Sequence, residues 1–168
     1  FTVVDVPTVM TTHLTELMHL HAHELYDMGQ LCQTLDRIGD KSPQLVEDLV
    51  PDPLTRQAVL RVFRNLLREG VSVRDTHSIL EALGDYARKS QDADVLTEFV
   101  RQRLSRHISG RLTDEQGVLH CLTLSREVED AISKGIQQQS GSISLFLDPG
   151  TTRAIVMAIR AQTEAWGG

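Results

Sequence analysis

The chain has 168 residues, of which 40% are apolar and 24% charged, so it is too rich in core-forming side chains to be wholly disordered. Its longest unbroken apolar run, Ala154 to Ile159, falls far short of the roughly 20 residues that a membrane-spanning helix needs. The net charge of −6 is uneven: residues 1–55 carry −7, residues 56–111 carry +4 and residues 112–168 carry −3. An acidic total opposes unaided nucleic-acid binding, whereas separate acidic and basic thirds suit contacts between charged protein surfaces.

The sequence opens on Phe1 without a basic-then-apolar leader, as expected of a piece of something longer. Asp5 is placed to cap a helix and Pro7 to stand in its first turn, where its missing N–H costs nothing. That helix is expected to run to about Tyr26. A second is predicted from Gln30 to Ile38, closed by Gly39, and a short third from Gln44 to Val50 between Pro43 and Pro51. Val59, Val62, Phe63, Leu66 and Leu67 then form one continuous apolar stripe that ends at Gly70. Ser72 is expected to cap the next helix, with Ile79, Leu80, Leu83 and Ala87 on its buried face. Leu96, Phe99, Val100, Leu104 and Ile108 predict one further helix.

After Gly110 the pattern changes. Val118 to Leu124 is apolar without helical phase and reads as a strand, followed by a helix from Ser125 to Ile136. Residues 137–142 read as a loop. Alternation at Ile143, Leu145 and Leu147 predicts a second strand, and Asp148-Pro149 opens a last helix through Ala165. The fold class expected is therefore α+β, mostly α: a helical block, then a small α+β unit with an incomplete sheet.

Residues with chemical potential are few. His19 and His23 have the i, i+4 spacing that can place two imidazoles on one metal, but Glu24 follows the second histidine where the HExxH pattern needs it after the first. No metal and no cofactor is expected. Cys32 and Cys121 form no CxxC pair and lie in apolar-periodic stretches, which predicts buried, reduced thiols. Neither a GxSxG elbow, an SxxK pair, nor a phosphate-binding glycine loop occurs, so nothing supports an enzyme. Residues 54–88 could form a DNA-binding helix-turn-helix, with Arg61, Arg64 and Arg68 on the first helix and Arg74 early in a second that opens at Val73. That second helix would also present Asp75, Glu81 and Asp85, which is poor phosphate chemistry.

Several ordered motifs resemble the cytoplasmic domain of bacterial type III export gate proteins, the FlhA/SctV family. They are Thr12-His13-Leu14, His21-Ala22-His23-Glu24-Leu25, the segment Pro43 to Pro51, and Asn65 to Asp75 with Ile79 to Leu83. Leu96 to Arg101 and Leu104 to Ile108 continue the likeness, and Leu147-Asp148-Pro149 extends it more weakly. The chain departs at Tyr26 to Gln30, where the family usually carries a Gly-Arg-Gln-Glu type sequence. The first two motifs lean towards the flagellar branch rather than the virulence one.

The resemblance implies a non-enzymatic part of a bacterial inner-membrane protein, on the cytoplasmic side, attached to the membrane only through a missing N-terminal half. Residues 1–16 would lead in from an upstream subdomain, 17–110 form a helical subdomain, and 111–168 an incomplete α+β terminal subdomain. Partners would be export chaperones with their substrates, other export-apparatus proteins, and further copies in a ring, nonameric in the intact protein. Nucleic acid is not among them. The chaperone groove of the family would reach Thr12 and His13. From the charge pattern, Arg61, Arg64, Arg68 and Arg74 are the candidates for ring or inter-domain contact.

Overall fold

Pro7 stands in the first turn of α1 (Val6–Leu20), and Asp5 occupies its N-cap, as the sequence predicts. The Asp5 carboxylate, however, accepts from the Thr8 hydroxyl and not from a backbone N–H. This computed structural model describes residues 5–139 and 142–166; residues 1–4 of the segment expected to lead in from an upstream subdomain lie outside them. The predicted long helix breaks at His21, whose backbone N–H bonds the Leu17 carbonyl before a separate turn, α2 (Ala22–Leu25), begins.

Asp27 then caps α3 (Met28–Gly39) by accepting from the Gln30 N–H at 2.9 Å. A short α4 (Pro43–Glu47) follows, and Thr55 caps α5 (Arg56–Arg68) through the Ala58 N–H. At the end of α5, the Val71 N–H bonds the Leu66 carbonyl and the Gly70 N–H bonds that of Leu67. This is a Schellman ending. Gly70 supplies its left-handed residue at φ 70°, a conformation a side chain would strain.

Asp75, not Ser72, caps the next helix, α6 (Thr76–Ala87), accepting from the Ser78 N–H at 3.2 Å. The Ser72 hydroxyl lies one turn too early and accepts from the Arg74 N–H instead. The single helix expected over Leu96 to Ile108 is two, α7 (Ala93–Arg103) and α8 (Ser105–Leu112), divided at the buried Leu104.

The core belongs to these helices. Val59, Val62, Phe63 and Leu66 of α5 are fully buried with Ile79, Leu80 and Leu83 of α6, Leu96 and Val100 of α7, and Leu31 of α3. Full burial of such side chains contributes about 1.5–3 kcal/mol each. All buried hydrophobic side chains among the described residues lie between Leu31 and Leu104. Cys32 is half-buried and Cys121 exposed, so the expectation of two buried thiols fails: neither faces the cluster that the stripes build.

The chain divides into two compact units, Phe1–Gly117 and Val118–Gly168. In the second, α9 (Arg126–Gly135) runs directly into β1 (Ile136–Gln139), which pairs antiparallel with β2 (Ser142–Leu145), matching Ile136 to Leu145 and Gln139 to Ser142. Among the described residues the expected strand over Val118 to Leu124 joins no ladder, and the first strand comes instead from the end of the predicted helix and the residues read as loop. Residues 140 and 141 of that loop lie outside the described residues. A last helix, α10 (Pro149–Trp166), is capped by Asp148, which accepts from the Gly150 and Thr151 N–H groups. Hydrogen bonds from Thr151 hold the Asp148 carboxyl below the usual carboxylate range, so this cap weakens as pH falls and not as it rises. The architecture is mostly helical, with one two-stranded hairpin among the described residues.

Candidate functional site

Three surfaces of the first unit carry the residues singled out by the sequence. The first is α1, which has no buried residue. Val6, Val9, Met10, Leu14, Leu17, Met18 and Leu20 are all exposed, several by more than half. At about 100° per residue they fill roughly half the helix circumference, and His13 falls within that arc. Thr12 lies on the opposite, threonine-rich side. There the hydroxyl of Thr8 goes to Asp5, that of Thr11 to the Pro7 carbonyl and that of Thr15 to the Thr11 carbonyl. Thr12 alone of the four makes no such bond among the described residues, and both Thr12 and His13 are exposed.

Below α1 the histidines serve the turn. His21 Nδ1 lies 2.9 Å from Glu24 Oε1, and His23 Nε2 lies 3.7 Å from the same oxygen. The hydrogen bond from His21, then the charge of that imidazole, holds the Glu24 carboxyl below its ordinary value. The break at His21 removes the helical register that would have set His19 and His23 on one face. Among the described residues no group of three or more His, Cys, Asp or Glu could hold a metal ion.

The second surface is the arginine stripe of α5, and its three predicted cations, with Arg74 beyond the helix, meet different fates. Arg61 Nη2 pairs with Asp94 Oδ2 at 3.2 Å, both groups well exposed, a pair worth about 0–1 kcal/mol. Asn65 Nδ2 reaches the other Asp94 oxygen at 2.9 Å and the buried Thr97 hydroxyl at 3.1 Å, which ties α5 to α7. Arg64 Nε donates to the Tyr26 carbonyl at 2.9 Å and so anchors the segment between α2 and α3 to α5. The Tyr26 ring stacks on Phe63 at 5.5 Å, and burial pushes its hydroxyl above the ordinary value. Arg68 and Arg74 make no side-chain hydrogen bond or ion pair among the described residues.

These partners were out of reach of sequence reading, because Arg64 and Tyr26 are 38 positions apart and Arg61 and Asp94 are 33 apart. The contrast is testable. Arg64→Met is expected to lose about 1.5–3 kcal/mol of unfolding free energy, the range for a charged hydrogen bond, whereas Arg68→Met stays within about 0.5 kcal/mol. Urea denaturation of the two variants reads it, and equal midpoints would contradict the anchor.

The third surface is a half-open depression of about 500 Å³ beside the Schellman turn, where His19, Arg74, His107 and Arg111 converge. Arg74 stands before α6 in the irregular segment 71–75, outside the first turn of that helix. A reading helix starting at Val73 is therefore not formed. The first turn of α6 offers Thr76 and His77, and the latter leans to Glu81 at 3.6 Å. Nothing in this arrangement supports a DNA reader.

Comparison with known proteins bears on these surfaces. The FHIPEP family profile matches residues 1–167. The Bacillus subtilis flagellar biosynthesis protein FlhA is 38% identical over 164 residues, covering 98% of this chain and 24% of its own length. The Escherichia coli protein of the same name is 36% identical over 150 residues, covering 89% of this chain and 21% of its own. The chain thus spans about a quarter of the length of the curated relatives it matches. Among solved structures, Chlamydia pneumoniae CdsV is 28% identical with a TM-score of 0.81, covering 91% of this chain and 44% of that one. The cryo-EM structure of nonameric EPEC SctV-C is 28% identical with a TM-score of 0.78, covering 90% and 46%.

Proposed function

The chain belongs to the FHIPEP family, and from that premise we propose that it is part of the cytoplasmic domain of a type III protein export gate. Its role there is non-enzymatic: to dock chaperones carrying export substrates, and to help close a ring of copies beneath an inner-membrane channel. Residues 17–110 act as the helical subdomain and residues 111–168 as an α+β subdomain, with residues 1–16 leading into them. The likeness to a nonameric assembly supports the ring. The complex of Chlamydia pneumoniae CdsV with CdsO, whose CdsV-like chain is 28% identical, supports contact with further export components.

The observation that carries chaperone docking is α1. Its apolar arc is uncovered in this chain, His13 lies within the arc, and Thr12 keeps a hydroxyl not used by its own helix. Such a helix face is what a partner's groove or helix recognises. For the ring, Arg68 and Arg74 offer charge with which no carboxylate among the described residues pairs, while Arg61 and Arg64 stand with Arg68 on α5 after their own pairings. The acidic first third of a neighbouring copy is the complementary surface, and a head-to-tail contact of this kind closes into a ring.

A titration of the intact protein with its cognate export chaperone, wild type against Thr12→Met, tests the docking surface. The variant is expected to bind about ten-fold more weakly, a cost of about 1.4 kcal/mol. Equal affinities would remove Thr12 from the contact.

A further inference from the structure

We propose that the depression beside Gly70 is a binding cleft for an acidic, partly apolar peptide segment, separate from the exposed face of α1. Its charged side chains are of one sign, Arg74 from the segment before α6 and Arg111 from α8, with the imidazoles of His19 at the end of α1 and of His107 on α8 beside them. No carboxylate among the described residues lines it, although the chain as a whole carries −6. The nearby Glu69 is taken by Arg101 at 3.0 Å, and Asp75 by the cap of α6.

The two arginines are prepared differently. Arg111 Nη1 donates to the Gly70 carbonyl at 3.0 Å, which fixes its charge at the edge of the turn before any ligand arrives. An arginine already held in place loses less freedom on binding than a mobile one. Arg74 is exposed and has no partner among the described residues, so its five donors are available to a carboxylate.

The rest of the lining decides which anion suits it. Leu67, Val71 and Val73 line the same depression, so a lone hydrated phosphate would leave apolar surface wet. A peptide alternating carboxylates with aliphatic side chains covers both kinds of surface. The Ser72 and Val73 backbone N–H groups form no hydrogen bond among the described residues, leaving main-chain donors beside the cations. The cleft is thus a charge-complementary docking site in which arginine supplies direction and valine supplies contact.

The test uses the whole 168-residue chain and a short fluorescent peptide in which glutamate alternates with valine, read by anisotropy at low and at physiological salt. The peptide is expected to bind, its glutamine counterpart to bind about ten-fold more weakly, and salt to weaken the acidic peptide alone. Arg74→Glu is expected to lower affinity about ten-fold, while Arg88→Glu, beside Glu81 and Asp85 in a different depression, leaves it unchanged. Equal binding of the two peptides, or equal effects of the two reversals, would overturn the proposal. Displacement by inorganic phosphate at matched ionic strength would show a simple anion site and overturn it too. So would sedimentation showing that the chain self-associates and that Arg74→Glu abolishes it, since Arg74 would then serve the ring contact and not the cleft. Ring closure and chaperone affinity are read in other assays, so failure here leaves the export-gate reading standing and the reverse holds as well.

Discussion

Truncation of Phe63 to alanine is expected to destabilise the helical unit by about 3–5 kcal/mol. Its ring is fully buried on the stripe of α5 and stacks on Tyr26, whose carbonyl the neighbouring Arg64 holds. Phe63→Ala therefore removes both core volume and the surface against which the α2–α3 connection rests. Against a typical total of about 5–15 kcal/mol for a small domain, that is a large share. Chemical denaturation followed by helical circular dichroism should show a sharply lower midpoint. A variant within about 0.5 kcal/mol of wild type would mean that the α5 stripe does not form the centre of the unit.

The second large effect is expected in the other unit, at Gly135. A methyl group built there would meet the Phe146 carbonyl oxygen at 2.5 Å and side-chain atoms of Leu147 and Leu145 at 3.1 and 3.2 Å. The same glycine accepts from the Phe146 N–H at 2.8 Å, so the chain end of α9 and the exit of β2 touch through backbone. Gly135→Ala should force them apart and cost about 1–3 kcal/mol, as overpacking does. Loss of amide protection at Phe146, with the helical unit unaffected, is the result to look for. Gly84 in α6 is the contrast: nothing lies within 4 Å of its added Cβ, and Gly84→Ala should stabilise by about 0.4–1 kcal/mol. If both substitutions acted alike, the close approach at Gly135 would be refuted.

Much of the helical unit is legible in the sequence because its information is local. The spacing of Val59, Val62, Phe63 and Leu66 announces α5 and its buried face, and Gly70 announces its end. Helix divisions are harder. His21 and Leu104 sit inside stretches whose apolar period continues across them, so nothing in the pattern marks the turn. Cap choice fails at Ser72 for a related reason, since Asp75 is the better-placed acceptor by only three positions. The glutamines of β1 illustrate the converse. Gln137 to Gln139 carry no strand pattern of their own, and pairing with Ser142 to Ile143 and onward is what makes them a strand.

The candidate surfaces divide in the same way. The residues of α1 are visible as a motif, and their exposure follows from an apolar helix with nothing in this chain to cover it. The arginines are visible as a stripe, yet only distance in space separates Arg64, which holds a carbonyl, from Arg68, which holds nothing among the described residues. The cleft of His19, Arg74, His107 and Arg111 has no sequence signature. Its members span 92 positions and meet only because α8 returns beside the turn after α5.

Confinement of the buried hydrophobic side chains, among the described residues, to the stretch from Leu31 to Leu104 also has a thermodynamic consequence. The slope of denaturation followed by a probe in the helical unit is expected to scale with the surface that unit exposes, not with 168 residues. Residues beyond Gly117 form a second compact unit, so probes placed in each unit should be followed separately before one melting temperature is assigned to the whole chain.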